Sequence, residues 1–189
     1  MHILDAESGA TLATVRGIRG FWQSRHGSIG IGSIYGQAVG IDTERWSIGW
    51  RAPVEGFAIL AAAFAPDGLV VSDTVDSADG GAASVYAFDL AGRERWRYRA
   101  PPDCNVRLLA WDEATGDWIG IQHNVDRSNS DRLLRWDGGG GIATDLRLGR
   151  SSGYDAILPT GRRLVTAEGR VLDTGTLQEV ARFPTETRA

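Results

Sequence analysis

The sequence predicts an all-β chain, built as a serial array of four-stranded antiparallel sheets. Three observations carry this. A hairpin that ends its first strand in aspartate recurs along the chain. A second hairpin, closed by a glycine turn, alternates with it. No segment shows the long amphipathic period of a helix.

The first hairpin is an apolar strand, an aspartate, a short polar turn and a second strand. Its copies are His2-Ile3-Leu4-Asp5 with Gly9 and Leu12, Val39-Gly40-Ile41-Asp42 with Trp46, and Val85-Tyr86-Ala87-Phe88-Asp89 with Gly92 and Trp96. Two more are Leu133-Leu134-Arg135-Trp136-Asp137 with Ile142, and Val171-Leu172-Asp173 with Gly175 and Leu177. The aspartates stand 37, 47, 48 and 36 positions apart. The second hairpin turns at Arg25-His26-Gly27, Pro66-Asp67-Gly68, Ala114-Thr115-Gly116 and Pro159-Thr160-Gly161, with glycines 41, 48 and 45 positions apart. Glycine supplies the positive φ that such turns often require.

Two hairpins per period of about 45 residues is the length of one four-stranded propeller blade. Each blade packs both faces on its neighbours, so its inner strands tolerate apolar residues on both sides. Phe57 to Ala65 is such a run. Pro53 before it and Pro66-Asp67-Gly68 after it favour a strand over a short buried helix. The expected organisation is a single β-propeller-type domain. It comprises an N-terminal hairpin (1–16), blades at about 17–53, 54–101, 102–151 and 152–184, and a tail (185–189). Five Asp-ended hairpins against four Gly-turn hairpins start the chain halfway through a blade. The reading leaves open a small propeller padded by an extra hairpin, a piece of a longer propeller, or a half that closes on a second chain. Open sheet edges invite pairing, so self-association or a protein partner is expected.

The Asp5, Gly9, Leu12 copy and the Asp89, Gly92, Trp96 copy resemble the quinoprotein-type (PQQ-like) propeller repeat. Phe64-Ala65-Pro66-Asp67-Gly68 is similar to the Phe-Ser-Pro-Asp-Gly turn of WD-repeat propellers. The resemblance covers nearly the whole chain and implies architecture; it is almost silent on function. Quinoprotein dehydrogenase activity would imply a larger propeller enclosing the cofactor at its axis. This chain has about half the blades and no vicinal cysteine pair.

Composition narrows the function classes. The net charge of −4 disfavours nucleic-acid and anionic-membrane partners, which need a positive field. All 20 basic residues are arginine, which fits a GC-rich bacterial genome and carries no functional message. Cys104 is the single cysteine, so no intrachain disulfide forms and nothing points to an oxidising compartment. The N-terminus lacks a basic and apolar leader pattern, and the longest apolar run is too short to span a bilayer. The expectation is a soluble, cytoplasmic protein.

In propellers, the loop between the second and third strands of a blade shares one face with the connectors between blades. Two in-blade loops there are long and polar, Ser72 to Gly81 and Gln122 to Asp131. The connectors Pro101 to Asn105 and Arg150 to Tyr154 join them. Loops on a rigid scaffold concentrate binding residues. The candidate binding residues are therefore Asp73, Asp76, Asp79, Asp103, Asn105, His123, Asp126, Asn129, Asp131 and Tyr154. Asp, Asn, Ser and Gly are also ordinary turn residues. The aspartates are hard oxygen ligands suited to calcium. Neither loop has the spacing or closing Glu of a twelve-residue calcium loop, so no cofactor is expected. His2, His26 and His123 show no zinc spacing. Cys104 and His123 form a weak nucleophile–base candidate, and a lone Cys is usually a small buried hydrophobe. No catalytic residue is assigned.

Arg93, Arg95, Arg97 and Arg99 alternate with Glu94, Trp96 and Tyr98. On a regular strand the four arginines share one face and Glu94, Trp96 and Tyr98 the other. The row is a candidate edge-binding surface for an acidic protein, or a charged edge that resists aggregation. The leading expectation is a non-enzymatic interaction scaffold that binds a partner through the loop face or open blade edge. The alternatives are a small hydrolase or lyase with a calcium-assisted site, and a fragment or subunit of a larger propeller enzyme.

Overall fold

Strand alternation organises every layer of this chain. The computed structural model describes residues 1–4, 8, 10–74, 83–124, 131–149, 154–157, 162–166 and 169–183. Among them are no helix, one two-stranded sheet and four four-stranded antiparallel sheets. The small sheet pairs β1 (His2–Leu4) with β2 (Thr11–Thr14). The first blade is β3 (Arg19–Gln23), β4 (Ile29–Ile34), β5 (Gln37–Asp42) and β6 (Ser47–Pro53). The second is β7 (Ile59–Ala65), β8 (Gly68–Asp73), β9 (Ser84–Asp89) and β10 (Glu94–Arg99). The third is β11 (Cys104–Asp112), β12 (Asp117–Asn124), β13 (Asp131–Trp136) and β14 (Ile142–Gly149). The fourth is β15 (Tyr154–Ile157), β16 (Arg163–Thr166), β17 (Arg170–Asp173) and β18 (Glu179–Arg182). Each is a meander whose strands pair in chain order.

Residues 59–65 of the apolar run form strand β7, as its flanking prolines indicate, with Phe57 and Ala58 in the connector before it. Period-two alternation sends neighbouring residues of one strand into different cores. Tyr86 and Phe88 of β9 pack with Ile31, Ala52 and Leu69 between the first and second blades. Val85 and Ala87 of the same strand pack with Trp96, Val106 and Trp136 between the second and third. Ile119, Leu133, Leu164 and Leu172 fill the space between the third and fourth. A blade with apolar side chains on both faces is thus buried between two others.

Of the recurrent aspartates, Asp42, Asp89, Asp137 and Asp173 cap the outer turns, and Asp5 lies outside the described residues. Asp89 Oδ1 accepts from Ala91 N and Arg93 N, both at 2.9 Å. Asp137 Oδ1 accepts from Gly139 N and Gly141 N at the same distance. Asp42 and Asp173 repeat this at their own turns. A side-chain carboxylate that takes successive backbone N–H groups fixes the turn.

The glycine in these turns meets the preceding blade. Gly92 has φ 80°, and a Cβ placed on it would lie 2.4 Å from Cδ2 of Trp50 on β6. Trp50 Nε1 donates to Leu90 O at 3.0 Å. Gly140, φ 85°, stands in the same relation to Trp96 on β10, 2.6 Å from its Cγ. The tryptophan of one blade's outermost strand thus covers the turn of the next blade, and both require glycine there. At the last interface the pattern changes. Trp96 pairs with Ala87, two residues before Asp89, and Trp50 with Gly40, two before Asp42. The corresponding pair on the third blade is Arg135 with Thr144. Arg135 itself reaches the next turn, donating to Thr174 Oγ1 at 2.9 Å and to Asp112 Oδ2 at 3.1 Å.

Two expectations need correction. Of the described inner-turn glycines, Gly116 alone takes a positive φ. Gly68 is required by close approach, because a Cβ there would sit 2.7 Å from Phe88 O. The arginine row is also not a regular strand face. A bulge between Glu94 and Trp96 shifts the register and moves Glu94 to the side of Arg97, which donates to it at 3.0 Å.

Candidate functional site

Backbone hydrogen bonds bring the described ends of the in-blade loops and the connectors to one face. Val54 N, in the first connector, donates to Gly36 O in the β4–β5 turn at 3.0 Å. Phe57 N and Thr74 O, and Thr74 N and Ala58 O, tie the same connector to the end of β8. Ala100 N donates to Ala83 O, and Ala83 N to Cys104 O, at the next connector.

Asp73 ends β8 and is fully buried. Its Oδ1 accepts from Ser84 N at 2.6 Å, and its Oδ2 from Gly56 N at 2.9 Å and Tyr86 Oη at 3.1 Å. Burial pushes its carboxyl above the ordinary range, against the lowering effect of these donors. Burial likewise pushes the Tyr86 phenol up to about 12, so it remains a donor. Glu55 N donates to the same phenol oxygen at 2.8 Å. The Arg97 guanidinium lies 4.7 Å from the Tyr86 ring centroid and pairs with Glu55 at 2.6 Å. Asp73 therefore organises the loop ends from inside.

A second cluster sits at the loop-face end of the third blade. Asn105 and His123 are register partners on β11 and β12. His123 Nδ1 lies 2.9 Å from Asp131 Oδ1. Asp131 is buried and His123 about one-third exposed. A carboxylate can only accept, so in the tautomer whose Nδ1 donates to Asp131 the His123 Nε2 is the acceptor nitrogen. Alternation puts His123 on the face of Ile119 and Ile121, toward the fourth blade. The structure thus brings Asn105, His123 and Asp131 together. Asp103 is exposed in the preceding turn with φ 59°, Cys104 is buried, and Tyr154 opens β15. The candidates Asp76, Asp79, Asp126 and Asn129 lie outside the described residues. Among the described residues, no three His, Cys, Asp or Glu side chains converge as a metal site.

Of the edge arginines, Arg95 bonds Asp67 through its carboxylate at 2.8 Å and its carbonyl at 2.9 Å. Arg97 is held by Glu55 and Glu94. Arg93 N is bound in the Asp89 turn, and Arg99 is exposed at the end of β10.

Sequence reasoning missed the most exposed apolar feature of this face. Tyr35 in the β4–β5 turn is 70% exposed and Phe57 in the first connector 40%. Their ring centroids are 5.4 Å apart, tilted at 54°. The available signal was an aromatic residue in a turn, Tyr35-Gly36, where polar residues are the rule.

No protein-family model matches this chain, and no curated protein matches it in sequence. Solved structures do. The Cps50 (Swd1) β-propeller domain of Myceliophteria thermophila gives a TM-score of 0.66 at 12% identity, over 93% of this chain and 58% of that one. The dihydro-heme d1 dehydrogenase NirN, solved in complex with DHE, gives 0.67 at 14% identity, over 97% and 41%. Hydrazine synthase of Kuenenia stuttgartiensis gives 0.60 at 19% identity, over 82% and 52%. The fold is that of the β-propellers. This chain spans about half the length of the solved structures it matches.

Proposed function

We propose that this chain is a non-enzymatic interaction module that binds a partner protein through its loop face. The observation that carries this is the exposed Tyr35–Phe57 pair beside the Asp73-organised loop ends. Exposed aromatics on a rigid frame are the residues that dominate binding energy in protein interfaces. His123, with its acceptor nitrogen set by Asp131, adds a directional polar contact on the same face. The Arg95 and Arg97 ion pairs within the chain make the open edge the weaker candidate surface.

The test starts from a partner captured by the tagged wild-type chain, then purified and titrated calorimetrically. The Tyr35→Ser/Phe57→Ser double variant is expected to bind it about 30-fold more weakly, as loss of a hot spot of about 2 kcal/mol requires. An unchanged affinity with an unchanged melting temperature overturns the reading, as does a wild-type chain with no saturable partner.

A second reading is favoured by one observation. The match to NirN takes in 97% of this chain but 41% of that one, and the match to hydrazine synthase 82% and 52%. On that reading it supplies part of a larger propeller enzyme, and light scattering of the purified chain shows assembly beyond its own 20.4 kDa.

A further inference from the structure

The opposite mouth of the blade array, where the inner hairpins turn, holds a cavity of ≈ 310 Å³. Its walls are Ala62, Ala63 and Phe64 of β7 and Leu109, Ala110 and Trp111 of β11; Gln23 and Arg25 close it from the first blade. These are the ends of three innermost strands. Both inner strands carry alanine here, and Phe64, Leu109 and Trp111 are the larger apolar residues of the lining. Phe64 packs toward the core between the first two blades and Trp111 toward that between the second and third. Trp111 is braced by Trp118, ring centroids 4.6 Å apart.

The polar groups lie at one end. Arg25 Nη2 donates to Glu113 Oε1 at 2.5 Å, bridging the inner turns of the first and third blades across the cavity mouth. Its Nε donates to His26 Nε2 at 3.1 Å, and His26 lies 3.7 Å from the same Glu113 oxygen. The arginine and glutamate side chains are each about half exposed. The bridge is therefore a solvent-screened pair of small net worth, which a competing carboxylate can replace. A guanidinium binds a carboxylate through two parallel donors. Ligand pockets run from about 300 to 1,000 Å³, so this one admits a body of one or two rings.

We propose that this cavity binds a small aromatic carboxylate. The ring lies against the apolar lining contributed by β7 and β11, the carboxylate takes the place of Glu113 on Arg25, and Gln23 offers its amide beside it. The site is independent of the loop-face partner, since it opens on the other side of the array.

The probes are benzoate, phenylacetate and indole-3-acetate, titrated into the whole chain by calorimetry, with benzamide and benzylamine, and indole and tryptamine, as the one-ring and two-ring neutral and cationic controls. At least one acid is expected to bind saturably, and its control of matching ring size at least about 10-fold more weakly. Two substitutions move the affinity in opposite directions. Arg25→Met weakens the acid about 10-fold or more, whereas Glu113→Gln, which removes the competing carboxylate, strengthens it several-fold. A purely structural role for the ion pair makes both variants alike. Melting temperatures check that each variant is folded, and the exposed Glu113→Gln keeps the test alive if Arg25→Met is not. The proposal is overturned if no acid binds the wild type more tightly than about 1 mM, if the controls match the acids, or if Glu113→Gln weakens binding.

Discussion

Replacing Gly92 by alanine tests the joint between successive blades. Two costs combine. At φ 80° a Cβ is strained by about 1–2 kcal/mol. The new methyl also starts 2.4 Å from Trp50 Cδ2, where carbon atoms prefer about 3.5–4.0 Å. The indole must withdraw by about 1 Å to reach that range. That motion strains a packed site by about 1–3 kcal/mol and stretches the Trp50 bond to Leu90 O, worth about 0.5–1.5 kcal/mol. Gly92→Ala is therefore expected to cost about 3–5 kcal/mol. In a Trp50→Ala background only the backbone cost remains, about 1–2 kcal/mol. Urea denaturation of the four proteins in this cycle should give a coupling of about 2 kcal/mol. Gly138→Ala, with nothing within 4 Å of the added carbon, is the control and should stay within about 0.5 kcal/mol. Additivity of the Gly92 and Trp50 costs to within about 0.5 kcal/mol refutes the joint.

Asp112→Ala leaves the buried Arg135 guanidinium without its nearest carboxylate and should cost about 3–5 kcal/mol in urea denaturation; a loss below about 1 kcal/mol puts the weight on Thr174 and Asp117 instead. Asp73 gives a pH dependence of defined sign. Its folded pKa is raised above the ordinary 3.8, so the folded state holds the proton more tightly than the unfolded chain does. The stability of the wild type relative to Asp73→Asn is therefore highest below that value, falls as pH rises through the folded pKa, and is then flat. A difference that grows with pH across the acid range contradicts burial as the dominant cause.

The aspartate period was legible because each copy acts locally: the carboxylate and the N–H groups it accepts lie within four residues, as at Asp89 and Arg93. Trp50 and Gly92 are 42 positions apart. Their contact depends on how two sheets stack, which a repeat read along the chain does not contain. The facing of Glu94 relative to the arginine row was not legible, because the single-residue bulge between Glu94 and Trp96 changes which side chains share a face, and no turn residue announces it. At the loop face, Asp73 resembled the other loop acids by type. Its distinguishing feature is the convergence of Gly56, Ser84 and Tyr86 from three chain segments on its oxygens. Asn105, His123 and Asp131 were named in advance, and cross-strand register aligned them. Arg25 was read as a hairpin residue, and its partner Glu113 is 88 positions away.

The change from indole to guanidinium at the last joint gives the array a thermal polarity. Apolar contact loses strength on cooling, while the cost of dehydrating ions falls on heating. In a linear array, stability is close to a sum of nearest-neighbour terms. The Trp50 and Trp96 joints are then the ones that loosen first toward 0 °C, and the Arg135 joint is the one relatively strengthened when hot. Cold would open this chain first at its Trp50 and Trp96 joints, and heat would spare the Arg135 joint.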